Sequence, residues 1–219
     1  MSMTPLTPNT DNINQDISRE GLTKEKLLQP LYLLKPSNNY AVAKVQKFVH
    51  MRIEDLNELL GKEYEGIILD VDECVAPHHG EILPENVEHI ASMVQQGIRV
   101  VIFSNMKASD RYQSVIDKTN GKVKVHMSKH AKPDSRGFTE CCEKMELPPE
   151  KVMMVGDNFI TDGGAIRAGI DFVKVEPIKT ENEPIGKKLK RLPQLATRWF
   201  YEKLSNLYDK ILKRKVIRT

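Results

Sequence analysis

Gly66-Ile67-Ile68-Leu69-Asp70-Val71-Asp72-Glu73-Cys74-Val75 runs from an apolar, strand-like segment into two carboxylates one residue apart. Side chains alternate along a strand that rises about 3.3 Å per residue, so positions 70 and 72 lean the same way. Two like charges that close repel unless a cation or a shared proton lies between them. At the C-terminal lip of a buried strand such a pair points to a metal-assisted site, because open α/β sheets bind ligands at that edge. The plainer alternative is a turn in which the aspartates only cap the next element.

The pattern continues outward from this strand. Leu83-Pro84-Glu85 opens a helix whose Val87, Ile90, Ala91 and Val94 share one face, and Gly97 closes it. Ile98–Phe103 reads as a second strand followed by Ser104-Asn105, with a helix from about Ser109 to Lys118 after it. Asn120-Gly121 is a turn before a third strand, Val123–Met127. Pro133 begins a helix with Phe138, Cys141, Cys142 and Met145 inward. Lys151–Val155 and Ile170–Val175 give strands four and five around a short helix through Ala165 and Ile166. Strands alternating with helices predict an α/β fold, a Rossmann-like five-stranded parallel sheet with helices on both faces. Right-handed crossovers then bring Asp70, Asp72, Ser104, Asn105 and Asp157 to one rim.

Upstream, a helix is expected over 19–34 with Leu27, Leu28, Leu31 and Leu34 as its apolar face, and helical or mixed structure over 41–60. The predicted organisation is a disordered tail (1–18), a helical extension (19–62), an α/β core (63–180) and a basic amphipathic helical tail (181–219). Residues 1–18 carry no basic residue and no apolar core, unlike a signal peptide or mitochondrial presequence. Three cysteines, two of them adjacent, form neither a disulfide framework nor a zinc pattern and fit a reducing compartment as buried filler. No apolar run is long enough to cross a bilayer, and a cytoplasmic setting is expected, peripheral at the inner face of the membrane. From Lys187 onward eleven Lys or Arg stand against two acids, although net charge is only +3. A weakly acidic body with a basic tail marks an anionic partner.

Asp70, Asp72, Asp157 and Asp162 offer hard oxygen ligands suited to Mg²⁺. Ser104, Asn105 and Lys132 offer hydroxyl, amide and ammonium groups suited to a phosphoryl oxygen. A glycine-rich phosphate loop is absent, which argues against a nucleoside triphosphatase of that kind. With Asp70-Val71-Asp72, Ser104-Asn105, Lys132-Pro133 and Gly156-Asp157-Asn158-Phe159-Ile160-Thr161-Asp162 in order at strand ends, the chain resembles the aspartate-nucleophile phosphatases of the haloacid dehalogenase superfamily over roughly residues 66–176.

That resemblance implies roles. Asp70 would attack phosphorus to form an aspartyl-phosphate, and Asp72 would serve as general acid and then general base. Asp70, the main-chain carbonyl of Asp72, and Asp157 would ligate Mg²⁺, with Asp162 in support. Ser104, Asn105 and Lys132 would bind the phosphoryl group. The alternative for Asp162 is a helix N-cap, and for Lys132 a solvated surface lysine. Glu73 and Cys74 depart from the family pattern, which usually has Thr or Val at 74 and often Asn or Gly at 73. Glu73 sets a third negative charge beside the nucleophile. His78 and His79 are expected to be solvated loop residues.

One helix and its connections fill each interval where this superfamily inserts a cap, so the protein looks capless and suited to a large substrate. Tyr32-Leu33-Leu34-Lys35-Pro36, Ala131-Lys132-Pro133, Val155-Gly156-Asp157 and Thr161-Asp162 extend the likeness to the subclass IIIA phosphatases of YqeG type, related to phosphatidylglycerophosphate phosphatases. This implies hydrolysis of phosphatidylglycerophosphate to phosphatidylglycerol. The tail fits: Phe200, Leu204, Leu207, Tyr208 and Ile211 share a helical face, with Arg198, Lys203, Lys210 and Arg214 among the charges around it and Trp199 and Tyr201 as interfacial aromatics. The alternative is a helix packing that apolar face on the core. Other phosphoesters, including nucleic-acid ends, and a catalytically weak binding domain are the competing readings. Nucleic acid is the less expected partner, and oligomeric state is open.

Overall fold

The computed structural model describes residues 23–38, 40–106, 110–179 and 185–218, without the side chains of 185 and 187–191. The expected tail at 1–18, the helix start at Ser109 and the side chains of Lys187, Lys188, Lys190 and Arg191 lie outside it.

Seven parallel strands form one sheet: β1 (Ala43–Val45), β2 (Gly66–Leu69), β3 (Arg99–Phe103), β4 (Lys124–His126), β5 (Val152–Gly156), β6 (Asp171–Val175) and β7 (Ile217–Arg218). Their order is β4-β3-β2-β5-β6-β1-β7. The expected five strands are β2 to β6. The correction is two edge strands, β1 beside β6 and β7 beside β1. Among the described residues six α-helices accompany them: α1 (Lys24–Leu33), α2 (Ile53–Leu60), α3 (Pro84–Gln95), α4 (Gln113–Lys118), α5 (Ser135–Met145) and α6 (Ile185–Ile211). The segment through Ala165 and Ile166 is a 3-10 helix, Asp162–Ala168. The helix after Pro133 begins two residues later, capped by Asp134, whose carboxylate accepts from the Arg136 N–H.

Strand alternation divides the core into two layers. Ile67, Leu69, Val100, Ile102, Met153 and Val155 join one cluster with Val87, Ile90 and Met93 of α3 and Val115 of α4. Ile68, Val101, Phe103, Val152 and Met154 join the other with Phe138, Cys141, Cys142 and Met145 of α5. Near-continuous apolar strands are what a sheet covered on both faces requires. The three cysteines are buried, and burial pushes each thiol up.

In α6, Tyr201, Ser205 and Asp209 form the buried stripe; of the apolar face expected at a lipid surface, with packing on the core as the alternative, Phe200, Leu207 and Ile211 are exposed and Leu204 packs partly on the core. The sheet explains this division. β1 and β6 present two buried lysines, Lys44 and Lys174, to the helix. Lys44 Nζ donates to Asp209 at 2.7 Å, Asn206 at 2.9 Å and Ser205 at 3.3 Å, and Lys174 lies 3.6 Å from Glu202. A polar layer thus docks α6 and turns its apolar side outward. Tyr201, expected at a lipid boundary, instead donates its hydroxyl to the Pro30 carbonyl of α1, while Trp199 is exposed. Arg214 is also engaged internally, over the Tyr40 ring and against Asp209.

Candidate active site

The β2 ladder extends one residue past its last strand residue, with Asp70 N–H on the Val155 carbonyl at 2.9 Å. The chain then turns sharply: the Val71 carbonyl accepts from the N–H groups of Cys74, Val75 and Ala76, and Glu73 takes a left-handed φ of 61°. Asp70 is therefore fixed at the C-terminal edge of the central strand, beside the end of β5 that carries Asp157.

Lys132 is 2% exposed and joins two acids, with Nζ 2.5 Å from Asp70 Oδ1 and 2.7 Å from Asp162 Oδ1. It is not a surface lysine. The Asn105 side chain positions it, donating to the Lys132 carbonyl at 3.0 Å and accepting from the Lys132 N–H at 2.8 Å. Asn105, expected to bind phosphate, thus spends its amide on holding the lysine backbone. Asp162 is fully buried and accepts the Asn158 N–H at 3.0 Å, while Thr161 occupies the cap position. This close approach requires Gly156, since a Cβ there would lie 2.3 Å from Asp162 Oδ2. Ser104 is buried and its Oγ accepts from the Met106 N–H, leaving its own O–H as a donor.

Asp70, Asp157 and Asp162 bring carboxylate oxygens within 4.8 Å of one another, all three residues buried. Burial and the neighbouring Asp162 charge push Asp70 up to about 7, against the opposing pull of Lys132. Burial works against the charged form of Lys132, but the two carboxylates outweigh it and hold the ammonium well above its ordinary value. Asp157 Oδ2 is buried and ion-paired to Arg198. Three crowded hard-oxygen donors fit a divalent cation of the Mg²⁺ kind.

Asp72 stands apart from this triad. Arg111 grips it with Nη1 at 3.1 and 3.2 Å and Nη2 at 3.1 Å, and the His79 N–H donates to Oδ1 at 2.8 Å. Its side chain groups with His78 and His79. The two histidine rings lie 3.8 Å apart, tilted by 47°.

Two residues that sequence reasoning did not single out for the site belong to it. Arg111 precedes α4. Arg198 reaches from α6 to ion-pair with both Glu73 and Asp157, its side chain 11% exposed. The extra acid at Glu73 was the available signal, because a buried third carboxylate demands a counter-charge.

A recess of about 150 Å³ is lined by Asp70, Asp72, Ser104, Lys132, Asp157 and Arg198. It adjoins a vestibule of about 570 Å³ whose walls include Lys26 and Pro30 of α1 and Gln194 and Thr197 of α6. A hollow of about 460 Å³ lies at the N-terminal ends of β3 and β4, away from this chemistry.

Carboxylates and a lysine gathered at the C-terminal edge of a parallel sheet make a site suited to phosphoryl transfer on a Rossmann-like α/β fold. The model of the haloacid dehalogenase-like hydrolases matches residues 13–169, and the chain belongs to that family. Among curated proteins it is 26% identical over 140 residues to "Probable phosphatase YqeG" of Bacillus subtilis (strain 168), covering 63% of this chain and 77% of that protein. Among solved structures it is similar to an uncharacterized protein from Listeria monocytogenes serotype 4b (TM-score 0.41, 19% identity, 63% of this chain and 98% of that one). It is also similar to the D,D-heptose 1,7-bisphosphate phosphatase of B. bronchiseptica, complexed with magnesium and phosphate (TM-score 0.40, 19% identity, 49% and 78%). The cobalt-bound deoxy-D-mannose-octulosonate 8-phosphate phosphatase of Haemophilus influenzae is a third (TM-score 0.41, 18% identity, 58% and 74%). Family membership and the site make the chain a phosphatase.

Proposed function

We propose that the protein is a Mg²⁺-dependent phosphomonoester hydrolase that works through an aspartyl-phosphate and acts on a phospholipid head group, phosphatidylglycerophosphate being the substrate of choice. The carrying observation is Asp70: buried at the sheet edge, with Oδ1 held by Lys132, it has Oδ2 left to attack phosphorus. As the Asp70–phosphorus bond forms, the bond to the leaving alcohol oxygen breaks, and Asp72, protonated in the substrate complex, gives that oxygen a proton. Water then attacks the aspartyl-phosphate, Asp72 takes its proton back, and inorganic phosphate leaves. Arg111 and the His79 N–H orient Asp72 for both transfers, while Ser104 O–H and Lys132 hold the phosphoryl oxygens. Asp70, the Asp72 carbonyl, Asp157 and Asp162 would hold the cation, which when bound neutralises charge on the phosphoryl group.

The surroundings of the recess support this substrate class. Among the described residues no inserted cap covers it, and the vestibule between α1 and α6 has room for a leaving group larger than the phosphate itself. Leu27 and Leu31 of α1 and Phe200, Leu207 and Ile211 of α6 are exposed on helices that touch at Tyr201–Pro30 and Tyr208–Leu34. Exposed Lys203, Lys210, Lys213 and Lys215 accompany them. Apolar and basic groups on one pair of helices suit an anionic bilayer surface, with about 1 kcal/mol per basic residue. Among the described residues no helix is long and apolar enough to cross a membrane.

The test is phosphate release from phosphatidylglycerophosphate vesicles beside soluble sugar phosphates, nucleotides and an aryl phosphate. Lipid hydrolysis that needs Mg²⁺, stops with EDTA and disappears in Asp70→Asn is expected. Faster turnover of the soluble esters would remove the lipid assignment.

A further inference from the structure

We infer that Arg198 is a built-in competitor of the divalent cation for Asp157, its ion pair pinning the first half of α6 beside the site. The inference rests on the metal-binding reading above and extends it to a residue outside the α/β core.

The site divides its acids between two cations. Lys132 takes Asp70 and Asp162, and Arg198 takes Glu73 and Asp157. Asp157 is where the two demands meet: Oδ2 lies against Arg198 Nη2, and the same carboxylate belongs to the buried triad with Asp70 and Asp162. A divalent cation arriving at that triad meets a guanidinium already on one of its three ligands. Two cations on one carboxylate repel, so the free energy holding Arg198 is subtracted from metal affinity.

The placement of α6 makes the contact a pin. Its firm attachments lie downstream, at buried Tyr201, Ser205 and Asp209. From Leu192 to Phe200 no residue is buried, and Leu192, Trp199 and Phe200 are exposed. Pro193 interrupts this stretch, where it has no N–H to give the helix ladder. Segments with few buried contacts open at low cost. Releasing Arg198 from Asp157 leaves Glu73 as its retained partner, which gives a purpose to the acid that departs from the family pattern. By linkage, metal that loosens this segment must bind more tightly when the segment is already loose.

The experiment titrates Mg²⁺ calorimetrically into metal-free full-length protein, comparing wild type with Arg198→Gln, Arg198→Lys and Asp157→Asn. Backbone amide exchange over 192–200 is followed with and without Mg²⁺. Losing a charge-assisted contact predicts binding about tenfold tighter, or more, in Arg198→Gln. Arg198→Lys, with the charge but not the planar fork, should fall between. Asp157→Asn should bind no metal. Exchange over 192–200 should rise with Mg²⁺ in wild type and be high throughout in Arg198→Gln. Equal or weaker affinity in Arg198→Gln overturns the inference, and so does protection of 192–200 by Mg²⁺. Should Arg198→Gln fail to fold, the wild-type exchange measurement decides alone. Absence of binding in every protein overturns both this inference and the metal reading. Tighter binding in Arg198→Gln without hydrolysis of any phosphoester overturns only the phosphatase reading.

Discussion

Replacing Lys132 by methionine keeps most of its volume and removes the charge between Asp70 and Asp162. The ammonium lies 2.5 and 2.7 Å from these carboxylates at 2% exposure, so little solvent screens the loss. Breaking a buried pair by deleting one partner costs about 3–5 kcal/mol. The expected penalty depends on pH, because the stranded carboxylates can protonate. Burial already raises Asp70 to about 7 with the lysine in place, and its removal raises the folded-state value further. A group whose folded value exceeds its unfolded one contributes stability at low pH, which is lost as pH rises through the folded value. The gap between Lys132→Met and wild type should therefore be small near pH 5 and widest at pH 8, by about 1.4 kcal/mol per unit of further pKa rise. Saturating Mg²⁺ should narrow the pH 8 gap, because the variant has one cation fewer at the triad and binds the ion more tightly than wild type, by about 1.4 kcal/mol for each tenfold difference in Kd. Urea unfolding followed by circular dichroism, in EDTA and in Mg²⁺ at both pH values, measures all of this. A loss below about 1 kcal/mol at pH 8, or one insensitive to both pH and metal, would refute the reasoning.

Asp70→Asn removes the group that opposes stability at high pH. Measured without metal, it should gain on wild type between pH 4 and pH 7, by up to about 4 kcal/mol for a rise of some three units, and a constant difference across that range would contradict it. Gly156→Ala places a Cβ 2.3 Å from Asp162 Oδ2, a side chain with nowhere to move. A stability loss of about 1–3 kcal/mol is expected in thermal unfolding. Mg²⁺ affinity in the same variant should fall about tenfold or more by calorimetry. Asp209→Asn breaks the buried Lys44 pair and should cost about 3–5 kcal/mol, with faster amide exchange over 200–211; Lys44→Met combined with Asp209→Leu should recover most of it.

The central sheet was legible because β2 to β6 are apolar runs between helices with regular inward spacing. β1 and β7 were not, at three and two residues, too short for any alternation to register. Lys44 and Lys174 explain which face of α6 docks on the sheet. A helix packs apolar side inward when the surface beneath it is apolar, and here two buried lysines in the strands select Ser205 and Asp209 instead. Periodicity within α6 contains no trace of those lysines, which lie in β1 and β6. The site divided along the same line. Asp70 and Asp157 were readable because each follows a strand end, where topology alone gathers them, whereas Lys132 and Asp162 were readable from their residue types and the order of the motifs. Arg111 and Arg198 approach from helices, with nothing in their local sequence to separate them from surface charges.

Those two arginines change what the extra acid means. Among the described residues at the recess, five carboxylates (Asp70, Asp72, Glu73, Asp157 and Asp162) face three cations (Lys132, Arg111 and Arg198). Two negative charges remain, the charge of one divalent ion. Glu73 without Arg198 would leave three, and Arg198 without Glu73 would leave one. The pair therefore enters or leaves the site together without altering the charge presented to metal and phosphate. A glutamate beside the nucleophile is then no mark of decayed chemistry. Arg111 and Arg198 each spend their charge on a carboxylate before any substrate arrives, as Lys132 does on Asp70 and Asp162, so the net attraction for a phosphate dianion must come from the bound cation. Binding of the phosphoester should accordingly depend on prior metal loading, with α6 setting how readily that loading occurs.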